Sequence, residues 1–226
     1  RCGSWVVRLA AGRGHDVRAV VRPSSSYRPP PGVAVARGEV LDPRFVEEIL
    51  PDHPLVISCI GQRRASPSPW SALRSPPDLV KRVMTNVVRA MSQKPGHRIL
   101  WISAAGVGSS RARTTPAVRR IIDLGNIAVA YRDLEAAERV TDGAEVESLA
   151  VRPVTLRPGS PGGDVGPVDR YGLLSTIRRG DVARWILDVA DGTRAFQGRT
   201  VLLGRIRTRV LEPVPFLGRG VEVQEC

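Results

Sequence analysis

Residues 1–22 read RCGSWVVRLAAGRGHDVRAVVR. Trp5, Val6, Leu9 and Ala10 recur at helical spacing, Gly12 and Gly14 stop the helix, and β-branched residues then dominate Val17 to Val21. This is helix, turn, strand, and the rest of the chain repeats the alternation. Val33 to Ala36 reads as a short strand, and Pro43 to Leu50 as a helix with proline in its first turn, where the lost N–H has no helical partner anyway. Leu55 to Ile60, bounded by Pro54 and Gly61, reads as a strand buried on both faces. Asp78 to Met91 carries Leu79, Val80, Val83, Val87 and Met91, a stripe suited to a helix lying on a sheet. Ile99 to Ile102 is a strand ending at Ser103, Val118 to Leu124 and Tyr131 to Val140 are helical, and Leu149 to Val151 is another strand. Asp181 to Ala190 is a helix with Asp181 as its N-cap, and Thr200 to Leu203 is a last strand. Arg63 to Pro77 and Gly159 to Gly166, rich in Ser, Pro, Arg and Gly, read as loops. Strands separated by helices pair in parallel through right-handed crossovers, so the expected fold is α/β, a doubly wound parallel sheet in a three-layer α/β/α sandwich.

The 226 residues are enough for one such domain, expected over residues 1–204, with 205–226 as a basic tail beyond the periodic pattern. Every long apolar stretch is broken by Arg or Gly within about ten residues, too short to span a bilayer, and no leader pattern precedes the fold. A cytoplasmic protein with no membrane partner is expected. Cys2, Cys59 and Cys226 lie far apart in sequence with no C-x-x-C pair, so they read as free thiols, and no metal site is expected. The net charge of +12 invites a nucleic-acid reading. Yet only Lys81 and Lys94 are lysine, so 34 − 2 = 32 basic residues are arginine, spread along the whole chain. Aromatics make up 4% and do not interleave with them, so a base-stacking platform is not expected.

Several motifs, in order and spacing, carry a family resemblance. Gly3 before a helix, followed by Gly14-His-Asp-Val-Arg-Ala-Val-Val-Arg22, resembles the NAD(P)-binding atypical short-chain dehydrogenases, including the NmrA-like and flavin or biliverdin reductase-like groups. Gly38-Glu39-Val40-Leu41-Asp42 resembles the family's G-D-[VL]-x-D turn, and Arg98 to Gly108 its fifth strand and following loop. Ala150-Val-Arg-Pro153 resembles its I-x-R-P, and Arg179-Gly-Asp-Val-Ala183 its later helix start. The resemblance implies a Rossmann-like fold and a nicotinamide dinucleotide cofactor held beyond the carboxyl ends of the strands. Gly3 matches the last glycine of a G-x-x-G-x-x-G turn whose start, with the central first strand, would precede Arg1. The chain is therefore expected to be part of a longer polypeptide. Made alone, it is expected to be poorly soluble, to bind NADPH weakly and to unfold without a cooperative transition.

Arg22, closing the second strand of that pattern, stands where an NAD-preferring enzyme holds an acidic residue. A planar, permanently charged guanidinium there suits the 2′-phosphate of NADP, with Ser24 and Arg28 assisting; the other reading is a solvated arginine in an arginine-rich chain. The resemblance puts Glu39 and Val40 beside the adenine, and Cys59, Ile60 and Gly61 where the backbone passes close to the cofactor. Ordinary strand-end packing accounts for those positions equally well, and Cys59 in an apolar run also reads as core. Ser103 occupies the place of the serine that hydrogen-bonds a substrate carbonyl, which makes it the best polar contact to a small-molecule substrate. Tyr131 is the candidate acid, but the lysine that lowers the pKa of such a tyrosine from four residues on is replaced by Glu135. His15, His53 and His97 sit near turns, away from the strand ends. Two readings follow. One is an NADP-dependent oxidoreductase that positions the nicotinamide and lets the cofactor carry the chemistry. The other is a non-catalytic redox sensor that acts through a protein partner.

Overall fold

The structure, a computed structural model, describes residues 1–194 and 198–206. From residue 207 on, the expected tail lies outside the described residues. Helix α1 (Cys2–Gly12) leads into β1 (Arg18–Val21), which pairs in parallel with β2 (Ala34–Arg37). Helix α2 (Pro43–Ile49), β3 (Leu55–Ser58), α3 (Leu79–Met91), β4 (Arg98–Ile102), α4 (Pro116–Leu124), α5 (Ile127–Asp142) and β5 (Glu147–Pro153) follow. The last third adds β6 (Thr155–Arg157), β7 (Val165–Pro167), β8 (Thr176–Arg178), α6 (Arg179–Ala190) and β9 (Thr200–Arg205).

The main sheet runs in the order β3-β4-β5-β9-β7, parallel except for β7, which lies antiparallel on β9. Strand β4 shows why it has helices on both sides. Ile99 and Trp101 join the cluster with Val80, Val83, Val87 and Ala137 of α3 and α5, while Leu100 joins Val182, Trp185 and Ile186 of α6. Successive side chains of a strand point to opposite faces, so one apolar run feeds two cores. Each such fully buried large side chain contributes about 1.5–3 kcal/mol. On the α6 side, Val6 and Ala10 of α1 pack on Ala183 and Leu187, and Arg13 just beyond α1 binds Asp188 and Asp191.

Strands β1 and β2 form a separate two-stranded sheet, and among the described residues no strand lies between β1 and β3. This modifies the expectation for Leu55 to Ile60. The strand ends at Ser58, and Leu55, Val56 and Ile57 are only half-buried, because β3 pairs with β4 alone and its other edge has no sheet partner.

One cap differs from expectation, and another is supplied from a distant helix. Asp181 lies in the first turn of α6, not at its N-cap, and its fully buried carboxylate accepts the backbone N–H groups of Gly162 and Gly163 at 2.8 and 2.9 Å. The helix starts two residues earlier because Arg179 and Gly180 take helical geometry straight after β8. At α3 the flanking Asp78 makes no side-chain cap; Asp133 of α5 does that work, accepting Val80 N–H and Lys81 N–H, both at 2.9 Å. The short strands β6, β7 and β8 fall where Gly, Pro and Arg break up the apolar pattern, which left no periodicity to read.

Candidate cofactor and substrate site

Parallel strands in one sense bring their carboxyl ends to one edge, and the loops there carry the sequence-selected residues. After β1 come Arg22, Ser24 and Arg28, all exposed. After β2 come Gly38, Glu39 and Val40. Gly38 is a required glycine: a Cβ there would sit 2.3 Å from the Phe45 ring. Glu39 is exposed, and the Val40 carbonyl accepts from Asn86 of α3 at 3.1 Å, which fixes the turn. After β3 come Cys59, Ile60 and the exposed Gly61. Gly3 packs on Cys59, where an added Cβ would stand 3.4 Å from the Cys59 Cβ. Burial pushes the pKa of the Cys59 thiol up, so the neutral form is favoured.

Ser103 follows β4 and is buried. Its backbone N–H continues the ladder to Val151 at 2.7 Å, and its hydroxyl donates to Glu138 Oε1 at 2.7 Å. Glu138 comes from α5, and both its oxygens also receive Arg152 of β5, Nε at 2.8 Å and Nη2 at 2.6 Å. Arg152 Nη1 in turn donates to Ser109 at 3.0 Å. The ion pair is only 7% and 5% exposed. A buried charge pair holds only with good geometry and satisfied neighbours, and this fork-on-carboxylate arrangement has both. It makes a rigid polar floor under the carboxyl ends of β4 and β5.

Tyr131 reaches the same loop from α5 and donates to the Ala105 carbonyl at 3.2 Å. Burial, with Tyr171 nearby, pushes its pKa up to about 12. Glu135, four residues on, takes no part in this: its carboxylate is half-exposed and faces Arg139 at 3.7 Å. Between the two tyrosines lies Gly106, at φ +103, a left-handed value that favours glycine. A Cβ there would meet the Tyr171 hydroxyl at 2.7 Å and the Tyr131 ring at 2.9 Å. The structure thus brings Ser103 and Tyr131 to one loop, with each hydroxyl proton already bonded.

Two pockets flank this edge. One, of about 460 Å³, opens between the start of α3 and α5, lined by Asp78, Lys81, Arg132 and Asp133 among others, and holds none of the sequence-selected residues. The other, of about 330 Å³, is lined by Ser4, Arg8, Tyr27, Arg28, Pro29 and Pro30. Arg28 belongs to it; Arg22 and Ser24 do not. The donor set fits an anionic dinucleotide. The first turn of α1 carries no acidic residue and its N-cap makes no side-chain hydrogen bond, and none of the ion pairs seen among the described residues uses Arg8 or Arg28. Among those residues there is also no cluster of His, Cys, Asp or Glu able to hold a metal, and no helix long and apolar enough to cross a membrane.

Sequence reasoning did not single out Glu138, Asn86, Asp133 or Arg8, and it quoted Arg152 only within a motif. The signal for Glu138 is present: with Ala137 and Thr141 it forms the buried face of α5, so a carboxylate there demands a buried cation.

A doubly wound sheet with phosphate-compatible donors at its carboxyl edge defines a dinucleotide-binding α/β protein. The comparison with protein families gives the particular one. Residues 1–193 match the NAD(P)H-binding family, and the chain belongs to it. No curated protein matches. Among solved structures it is similar to ChuY, an anaerobilin reductase from Escherichia coli O157:H7, with 21% identity, TM-score 0.69, and 89% of this chain and 90% of that chain covered. It is similar to a short-chain dehydrogenase/reductase from Veillonella parvula solved with NADP, with 15% identity, TM-score 0.71, and coverage of 91% and 90%. A third, from Streptococcus pneumoniae and provisionally named an NADH-flavin reductase, shows 16% identity, TM-score 0.66, and coverage of 91% and 94%. At these identities the likeness shows the fold.

Proposed function

We propose that the protein is an NADPH-dependent oxidoreductase of the atypical short-chain dehydrogenase type, acting on a small organic acceptor. The observation that carries this is the buried Ser103–Glu138–Arg152 network under the carboxyl ends of β4 and β5, in a member of an NAD(P)H-binding family. Bound nicotinamide supplies a hydride, that is, two electrons and one proton. The chain's own residues position and exclude. Ser103 donates its hydroxyl hydrogen bond to Glu138, which leaves the Oγ lone pairs to accept from a ligand. Gly3 and the first turn of α1 admit the pyrophosphate, and Glu39 and Val40 flank the adenine. The arginines after β1 favour the 2′-phosphate of NADP over the free hydroxyl of NAD. Tyr131 remains protonated and bonded to the Ala105 carbonyl, so the second proton reaches the acceptor from solvent. The reductase names of two structural relatives point the same way.

The test is NADPH oxidation against a panel of flavins, quinones and carbonyl compounds. Turnover with a conjugated acceptor, retained in Tyr131→Phe, is the expected result. A hundredfold loss in that variant with cofactor affinity unchanged would restore tyrosine as the acid. NADPH binding with no turnover on any acceptor would favour the sensing role through a protein partner, which the prior commitment of both hydroxyl protons also suits.

A further inference from the structure

Among the described residues five large apolar side chains are exposed, and four of them, Trp70, Leu124, Leu173 and Leu174, lie at the two ends of one helix, α4. At its start the loop after β7 is tied down. Tyr171 N–H donates to the Arg113 carbonyl at 3.2 Å, and Gly172 packs on Thr115, where an added Cβ would stand 3.4 Å from the Thr115 methyl. Gly172 and Ser175 then close a turn on each other: Ser175 N–H donates to the Gly172 carbonyl and Gly172 N–H to Ser175 Oγ, both at 3.0 Å. Leu173 and Leu174 form the tip of that turn, and Leu174 is 95% exposed. At the far end of α4 the Pro69 carbonyl accepts Ile127 N–H at 2.9 Å and the Trp70 carbonyl accepts Asn126 Nδ2 at 2.6 Å, which holds Trp70 against the residues just after Leu124. Between the two ends Pro116, Arg120 and Leu124 recur every four residues along the exposed face, while Ile122 is buried. The nine residues of α4 span about 13 Å.

The same segments concentrate the charge. Residues 59–77, 103–126 and 168–175 hold eight arginines against Asp123 and Asp169, so 8 − 2 = +6, half of the chain's +12 in under a quarter of its residues. Asp123 is taken up by Arg111, and Arg63, Arg74, Arg113, Arg120 and Arg170 are exposed. Tryptophan, leucine and arginine together are the side chains that sit well at a lipid–water boundary, apolar groups below the headgroups and cations at their level. A rigid protein partner would need two pockets matched to prongs about 13 Å apart, whereas a fluid interface takes each prong separately. A nucleic acid would meet the arginines but offers nothing to a Leu-Leu tip.

We propose that this edge docks the protein on an anionic bilayer surface, with Leu173–Leu174 and Trp70–Leu124 entering the headgroup boundary and the arginines around α4 meeting the lipid phosphates. The expectation of no membrane partner rested on the lack of a spanning stretch, which does not bear on surface docking. Docking of this kind is independent of the cofactor reading.

Flotation of the full-length protein with phosphatidylglycerol–phosphatidylcholine vesicles, against vesicles of phosphatidylcholine alone, tests it, because aggregates sink while docked protein rises. Leu173→Ser/Leu174→Ser and Arg113→Gln/Arg120→Gln probe the edge, and Arg18→Gln/Arg44→Gln, on β1 and α2, controls for charge; all six side chains are exposed, and each variant is first checked for native circular dichroism. The parent should float with the anionic vesicles and about tenfold or more weakly with neutral ones, and the leucine and α4 arginine variants should each lose about tenfold or more. The control should stay within about threefold of the parent. Trp70 emission should shift to the blue with anionic vesicles, and the shift should vanish in Trp70→Phe. Equal losses in the control and the α4 arginine variant would show diffuse attraction of a basic chain and overturn the oriented docking. Unchanged flotation of the leucine variant, or no flotation of the parent, overturns it as well. Self-association of the parent that the leucine variant abolishes, without vesicle binding, assigns the edge to a second copy of the chain instead.

Discussion

Replacing Glu138 by alanine removes the carboxylate that receives Ser103 at 2.7 Å and Arg152 at 2.8 and 2.6 Å. The Arg152 guanidinium, with its side chain 7% exposed, then keeps its charge in a buried place with only Ser109 as partner. Breaking a buried pair from one side costs about 3–5 kcal/mol, because the surviving charge is uncompensated. Against a total stability of about 5–15 kcal/mol this is a large fraction. At about 2–4 °C per kcal/mol for a domain of this size, the transition of the longer, cooperatively folding polypeptide falls by roughly 6–20 °C. Thermal and urea melts of Glu138→Ala, Arg152→Met and the double variant measure it. The double variant should lose much less than the two single losses added together, since it leaves no orphaned charge. A single-variant loss under about 1 kcal/mol, or simple additivity, would show that the pair is not the buried anchor described. Loss of cofactor affinity in Glu138→Ala should follow, because Ser103 then regains a free proton and a free rotor.

Two further outcomes are expected. Gly38→Ala puts a Cβ 2.3 Å from the Phe45 ring and should destabilise by about 1–3 kcal/mol, partly relieved by Phe45→Leu; urea melts showing no loss would mean that α2 shifts freely. Tyr131 has its pKa raised by burial from 10.0 to about 12, so its contribution is complete below pH 10 and lost between pH 10 and 12, where the unfolded chain ionises and the folded one does not. Two units correspond to at most about 3 kcal/mol, so chemical denaturation across that window should fall less steeply for Tyr131→Phe than for the parent, and parallel profiles would refute the burial of the phenol.

The alternation of helix and strand was legible in the sequence because apolar periodicity is a local property. The stripe on α3 and the run Ile99 to Ile102 reappear as packed elements within a residue or two of their expected bounds. From strand order and motif spacing it also followed that chemistry belongs at the carboxyl ends, and Ser103 is there. What sequence spacing does not carry is partnership across the fold. Asp133 caps α3 from 53 residues away, Glu138 accepts the Ser103 hydroxyl from 35 residues away, and Arg8 and Arg28 line one pocket only because α1 lies beside the loop after β1. Each is an ordinary charged residue on a helix until packing decides what it faces. The sequence by itself determined a layered, dinucleotide-binding α/β chain, because hydrophobic pattern and turn glycines act over one or two turns of backbone. Only the tertiary structure decided which hydroxyls keep a free proton and which arginines lack a counter-charge, because hydrogen bonds and ion pairs depend on distances of about 3 Å between segments far apart in the chain.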